Sequence, residues 1–239
     1  ETKGNKIIND LRLNNLEFIK CDLSEKNEIY ELSKKLAKLE KIDVLLNNAG
    51  ALFTSRQESV DNIEMTLALN HLGYFLLTHL LVDKLISSAP SRIVNVSSVA
   101  HKSGRLNLAD IQYRERYFLG WGAYARSKLC NIMFTYHLDQ KLKGSGVTVN
   151  ALHPGFVNSQ FGNNNNGLHA LAFRALKNLS AVSVKEGAES SVYLVSSPEV
   201  NEMSGGYYYR CKRVKSSSES YNQIAQKKLW DFSRDLVSL

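Results

Sequence analysis

Apolar residues along the 239-residue chain follow two periods in turn. Leu16-Glu17-Phe18-Ile19-Lys20-Cys21 reads as a strand, ended by Asp22-Leu23-Ser24. Ser24, Asn27 and Glu28 then open a helix through Leu39, with Ile29, Leu32, Leu36 and Leu39 at helical spacing. Asp43-Val44-Leu45-Leu46-Asn47 is a short apolar run bounded by polar residues and Gly50, as suits a parallel strand buried on both faces. A helical pattern covers about 58–87, and Arg92 to Ser97 is the next buried strand. Trp121 to Lys143 reads as a helix and Val147 to Leu152 as a strand, broken by Pro154-Gly155. Helical pattern resumes over Leu168–Leu179 and Val184–Val195. Gly205-Gly206 precedes a last strand, Tyr207 to Cys211, and a terminal helix covers about Glu219 to Leu236.

Strands alternating with helices predict an α/β fold with right-handed crossovers and a doubly wound parallel sheet. No linker rich in Pro, Gly or Ser divides the chain, so residues 1–239 read as a single domain. The one low-complexity stretch, Gly162 to Gly167 with its four asparagines, is polar and short and reads as a loop. Hydrophobic content of 44% and charged content of 22% are those of an ordinary soluble globular protein. No run reads as long enough to span a membrane, and no signal peptide opens the chain.

Cys21, Cys130 and Cys211 are odd in number and widely spaced, which suits thiols in a reducing compartment better than a disulfide frame or a zinc site. His71, His79, His101 and His153 are not spaced as metal ligands, so no metal site is expected. The net charge of +7 comes with a pI of 9.2, much of the excess near Arg210, Lys212, Arg213 and Lys215. That cluster reads as a solvated loop after a strand, or as an attraction for anionic headgroups or a phosphorylated cofactor. No zinc-finger, RRM or KH pattern points to nucleic acid.

The chemistry lies in four polar motifs placed at the carboxyl ends of strands or on the helices beside them, where open α/β sheets bind ligands. Tyr124 precedes Lys128 by four residues and shares its helix face. A cation held there would favour tyrosinate, letting the phenol exchange a proton near neutral pH. Ser97 and Ser98 end a strand; periodicity does not choose between them, and either hydroxyl could hold a carbonyl oxygen. Asn47-Asn48-Ala49-Gly50 follows another strand. Its small residues let backbone approach a ligand, although a plain strand-to-helix turn has the same composition. Asn70 stands mid-helix against its propensity, which suggests local work or a satisfied core amide.

Taken in this order, the motifs resemble the short-chain dehydrogenase/reductase family from about residue 1 to the C-terminus. Asn70-His71-Leu72-Gly73, Leu76-Leu77-Thr78-His79-Leu80-Leu81, Ser91 to Ser98 and Leu229-Trp230 bring the chain closest to its retinol-dehydrogenase-like branch. The resemblance implies a Rossmann-type sheet. It also implies that the first two strands and the helix between them are lacking, because the chain reads as starting inside the helix after the second strand. The family's T-G-x-x-x-G-x-G pyrophosphate turn does not occur in these 239 residues. The Asp43 strand is then expected to lack a neighbour, the Leu16 strand to lie apart, and residues 1–239 alone to bind NADP(H) weakly.

Residue by residue, the resemblance implies that Ser98 is the catalytic serine and Ser97 bonds backbone. Tyr124 is the proton donor or acceptor, and Lys128 tunes it and binds the nicotinamide ribose. Asn70 interrupts its helix and holds a relay water. Asp22 reaches the adenine, although its turn into the next helix is a role of its own. Asn48, Ala49 and Gly50 lie beside the adenosine ribose. Pro154, Gly155, Val157 and Ser159 form the loop over the nicotinamide, Ser159 standing where threonine is usual. The stripe Leu129, Ile132, Met133 and Tyr136 reads as core and, by resemblance, as a dimer contact. The branch implies NADP as cofactor, with NAD as the alternative. It implies a lipophilic substrate such as a retinoid, closed over by Phe156, Phe161, Leu168, Leu171, Phe173 and Leu176. It further implies an intracellular place, cytoplasmic or at the endoplasmic-reticulum membrane, with membrane association through an N-terminal segment and a homodimer. The rival reading is a truncated, non-catalytic relative acting as a binding or regulatory protein, or an incomplete gene model.

Overall fold

Four apolar runs pair as parallel strands in the order β1 (Val44–Asn47), β2 (Ser91–Val96), β3 (Val147–Leu152) and β4 (Gly206–Tyr209) in the computed structural model, which describes residues 2–11, 15–157 and 182–239. A fifth strand, β5 (Lys212–Arg213), returns antiparallel to β4. The sheet is therefore mixed rather than wholly parallel. The turn between β4 and β5 consists of Arg210 and Cys211, at φ 47° and 59°. Two consecutive left-handed residues make the tight hairpin turn that matches strand twist.

β2 and β3 are buried on both faces, which is why they read as continuous apolar runs. Ile93 and Val149 face Leu129 and Met133 on one side; Val94, Val96 and Leu152 face Leu194 and Val200 on the other. The first side is covered by α2 (Lys26–Leu36), α4 (Gly73–Ser87), α5 (Trp121–Lys141) and the terminal α7 (Gln223–Val237). The second is covered by α6 (Val184–Ser196). Right-handed crossovers throughout would have put α6 beside α4 and α5. It lies instead on the opposite side of the sheet, against Val94, Val96 and Leu152.

The segment Leu16–Cys21 is not a strand. Its backbone is irregular, and Leu16 and Phe18 stay 41% and 39% exposed. A strand exists only where another backbone completes its ladder, and β1, with β2 on one side, has no second neighbour among the described residues. The preceding α1 (Thr2–Leu11) is helical.

The helix expected from residue 58 begins later. Glu58 to Glu64 folds back on itself, with Asn62 at φ 59°. The Glu64 carboxylate then accepts from the amides of Thr66 and Leu67 at 2.9 and 2.8 Å, capping α3 (Met65–Leu67). A π turn, Ala68–Leu72, joins α3 to α4. Together Met65–Ser87 is 23 residues with hydropathy 1.3, long and apolar enough to cross a membrane by length and composition, contrary to the expectation from the sequence. Most of that window is buried inside the fold, where it serves as a core helix. The terminal helix is shorter than read, a 3-10 turn at Ser218–Tyr221 preceding α7. The Gly162–Gly167 loop, the Leu168–Leu179 helix, Ser159 and the lid residues from Phe161 to Leu176 lie outside the described residues.

Candidate active site

The carboxyl end of β2 gathers the predicted chemistry. The strand stops at Val96, so Ser97 and Ser98 are freed from strand alternation. Ser97 Oγ turns inward and donates to the Lys128 carbonyl at 2.7 Å, a backbone contact that ties β2 to α5. Ser98 caps a 3-10 turn, Val99–Ser103, its Oγ accepting from Ala100 N at 3.2 Å. The same side chain is hydrogen-bonded to Tyr124.

Tyr124 and Lys128 stand one turn apart on α5, 8% and 3% exposed. Lys128 Nζ donates to Val96 O at 3.1 Å and lies 5.8 Å from the Tyr124 ring centroid. Burial pushes the Tyr124 phenol up to about 12, opposed by the Ser98 hydrogen bond, and pushes the Lys128 ammonium down to about 7. Burial, not the Lys128 charge, sets the direction of the Tyr124 shift. Desolvation acts on both groups, keeping the phenol protonated and drawing the lysine toward its neutral form.

Asn70 sits in the π turn and is fully buried. Widened turns of this kind recur at functional sites. Its side chain clamps the loop after β1: Oδ1 accepts from Ala51 N at 2.8 Å, and Nδ2 donates to Ala51 O at 2.9 Å and Ser127 Oγ at 3.1 Å. That clamp brings Gly50 against the lysine. A Cβ on Gly50 would lie 3.1 Å from Asn70 Oδ1 and 3.2 Å from Lys128 Nζ. Ala49 is held by Tyr74, whose hydroxyl donates to Ala49 O at 2.7 Å. Asn47 points into the sheet's helical face, donating to Asn95 Oδ1 and Thr78 Oγ1 at 2.8 and 3.0 Å. Asn48 lies between these two anchors.

Beyond β3, His153 N donates to Tyr208 O and its Nδ1 accepts from Gly155 N, with the imidazole stacked 4.1 Å from the Tyr209 ring. Gly155 adopts φ 82°, a left-handed turn that glycine makes without strain after Pro154. Val157 packs against Gly187 on α6 so closely that a Cβ there would sit 2.4 Å from Val157 Cγ2. Asp22 is not joined to this cluster: its carboxylate accepts from the amide and hydroxyl of Ser24 at 2.9 and 2.7 Å, the contacts of a turn residue. The stripe Leu129, Ile132, Met133 and Tyr136 is core, none of it more than 7% exposed.

Four groups at the site escaped the sequence reading. They are Tyr74, His101, which donates from Nδ1 to Ser98 O at 2.7 Å, and the pair Asn131 and His71. Asn131 had a usable signal: three residues after Lys128 and seven after Tyr124, it lies on their helix face.

Comparison with known proteins bears on family and fold. The family model described as short chain dehydrogenase matches residues 1–167. Mouse retinol dehydrogenase 11 is 40% identical over 224 residues, 92% of this chain and 69% of that protein. Human retinol dehydrogenase 13 is 38% identical over 224 residues, 91% of this chain and 67% of that protein. Among solved structures, a putative uncharacterized protein from Mycobacterium paratuberculosis superposes with TM-score 0.78 at 26% identity, covering 100% of this chain and 81% of its own. The Pseudomonas aeruginosa RhlG/NADP active-site complex shares the fold, with TM-score 0.65 at 24% identity over 85% of this chain and 78% of its own.

Proposed function

Because the chain belongs to the short-chain dehydrogenase family and is an oxidoreductase acting on CH–OH groups, we propose that it interconverts a lipophilic alcohol and its aldehyde or ketone with NADP(H), NAD(H) being the alternative carrier. The observation that carries this reading is the hydrogen-bonded hydroxyl pair of Ser98 and Tyr124 beside a buried lysine, at the carboxyl end of a central strand. The nicotinamide, when bound, supplies or accepts the hydride.

This chain's residues do the rest. In reduction, the Tyr124 hydroxyl, kept protonated by burial, donates its proton to the substrate oxygen, and Ser98 Oγ holds that oxygen by a second hydrogen bond. Lys128, at about 7, returns a proton to the resulting phenolate, a transfer that runs downhill from ammonium to phenolate. Its Nζ carries three N–H donors and meets one protein acceptor among the described residues, Val96 O. The remaining donors suit ribose hydroxyls, and the bare Cα of Gly50 leaves room beside them. Asn70 keeps the Gly50–Ala51 backbone in place. Asn48, Ala49, Gly50, Pro154, Gly155, Val157 and, outside the described residues, Ser159 would line the carrier, with Asp22 toward its adenine.

The lipophilic substrate is supported by apolar surface left open beside the reacting hydroxyls. Val99 follows Ser98 directly and is 50% exposed, and the half-exposed Trp121 ring lies 6.1 Å from that of Tyr124. Phe118, in the same turn as Trp121, is 80% exposed. Covering such surface gains roughly 25 cal/mol per Å². The relatives named for retinol point the same way. In this reading residues 1–239 act as one domain, in the cytoplasm or at the endoplasmic-reticulum membrane.

The test is kinetic. Protein expressed from its full transcript should reduce retinal and medium-chain aldehydes with NADPH at higher kcat/KM than small polar carbonyls. The opposite order rejects the substrate class, and no NADPH- or NADH-dependent turnover rejects the catalytic reading in favour of a non-catalytic binding protein.

A further inference from the structure

A chain of buried polar groups runs from the C-terminal helix to the two backbone carbonyls that flank the reacting residues. Asn131 Nδ2 donates to Asn70 O at 2.9 Å and, more weakly, to Val96 O at 3.4 Å. Asn131 Oδ1 lies 3.3 Å from His71 Nδ1, and His71 Nε2 lies 2.9 Å from Ser233 Oγ on α7. All four side chains, Asn70 included, are at most 1% exposed.

The polarity of this chain is forced. A carbonyl only accepts, so the Asn131 amide must turn Nδ2 toward Asn70 O and Val96 O. Its Oδ1 then faces His71, whose Nδ1 must carry the hydrogen. The Nε2 lone pair is left to accept from the Ser233 hydroxyl. A neutral imidazole meets both demands, and burial pushes His71 down to about 4, consistent with that form. Every member has a partner, and an amide fixed at both ends cannot flip.

The carbonyls at its end are not ordinary ones. Asn70 O belongs to the π turn, a widened turn of the kind that recurs at functional sites. Val96 O is the acceptor of Lys128 Nζ. We propose that Asn131, oriented by His71 and Ser233, is a positioning residue that holds the Asn70 turn and the Val96 carbonyl, so that the Asn70 clamp and Lys128 keep their reactive geometry. Through this chain the C-terminal helix reaches the site without touching it. The effect on turnover rests on the oxidoreductase reading; the effect on geometry does not.

The clamp supplies its own reporter, since the Ala51 amide donates to Asn70 Oδ1. In Asn131→Leu, which fills much of the same space without donors, native-state hydrogen exchange at Ala51 should rise about tenfold or more while exchange at Ile93 in the central strand stays unchanged. In the same variant kcat should fall roughly 10- to 100-fold, as for a small misplacement of reacting groups, with KM for the aldehyde within about threefold. His71→Asn, which keeps a donor near the Nδ1 position, should retain most of the wild-type kcat, and His71→Leu should not. Ala51 exchange and kcat both within about twofold of wild type in folded Asn131→Leu would overturn the proposal. So would equal kcat in His71→Asn and His71→Leu, the comparison that decides if Asn131→Leu does not fold. If the wild-type protein shows no turnover, the oxidoreductase reading fails, and the exchange measurement still decides the geometry.

Discussion

Two segments of the chain came out opposite to their sequences. Leu16–Cys21 carries a strand pattern and forms no strand; Lys212–Arg213 carries none and is one. The difference is a partner. Arg210 and Cys211 turn the chain back in two residues, so Lys212 finds Tyr209 and Arg213 finds Tyr208. Among the described residues no strand pairs with Leu16–Cys21. Cover differs as well as pairing. Leu46 is registered beside Val94 on the same face of the sheet, yet Leu46 is 41% exposed and Val94 is 1% exposed, because α6 lies over the latter. Between β1 and β5 the centre of the sheet is closed on both faces, and the proposed chemistry is built there.

If the centre is where function is concentrated, the largest effect belongs to Tyr124. Tyr124→Phe removes the hydroxyl bonded to Ser98 and leaves the ring to pack, so kcat should fall about 10²- to 10⁴-fold. NADPH affinity should stay within about twofold, since the ring is kept. A kcat within threefold of wild type would remove Tyr124 from the mechanism and dissolve the contrast between centre and edge.

Lys128 sharpens the same contrast, because there function opposes stability. Its ordinary value near 10.5 is pushed down to about 7 by burial. Between those values the unfolded chain binds more protons than the folded one, so stability rises with pH from about 7 to 10.5; below 7 the full cost of burying the amine applies. Lys128→Met should remove that cost, gaining on the order of 4 kcal/mol at pH 7 and almost nothing at pH 10.5, while activity is lost. Urea melts at the two pH values check it. A variant less stable than wild type at pH 7 would show that the site stabilises the ammonium rather than penalising it.

What could be read from the sequence follows the same division. β2 and β3 were legible because burial on both faces writes a continuous apolar run, and the order of the motifs holding Asn70, Ser97-Ser98, Tyr124 and Lys128 singled out candidates, with Ser98 taken over Ser97 by resemblance alone. The hairpin to β5 was not legible: its turn residues, Arg210 and Cys211, carry no glycine or asparagine signal. The fold-back from Glu58 to Glu64 hid inside a helical period, its breaker being Asn62 in a left-handed conformation. Spacing shows that Tyr124 and Lys128 are near, whereas their desolvation depends on everything else packed round them. His71, Asn131 and Ser233 lie 60 and 162 residues apart in their two contacts, and no local pattern joins them.

The smallest predicted effect lies at the β1 edge. Ile93→Ala, at the closed centre, empties a fully buried site and should cost about 2–5 kcal/mol. Leu46→Lys should change stability by no more than about 0.5 kcal/mol, because its side chain already meets solvent and a lysine stem can lie along the same surface. The charge should act elsewhere. Among the described residues β1 has no second neighbour, and a lysine on such a strand discourages pairing with another chain. Leu46→Lys is therefore expected to lower self-association, measured by sedimentation against wild type, at nearly constant urea midpoint. If Leu46→Lys instead costs as much as Ile93→Ala, Leu46 is covered in solution, and the β1 edge is as closed as the centre.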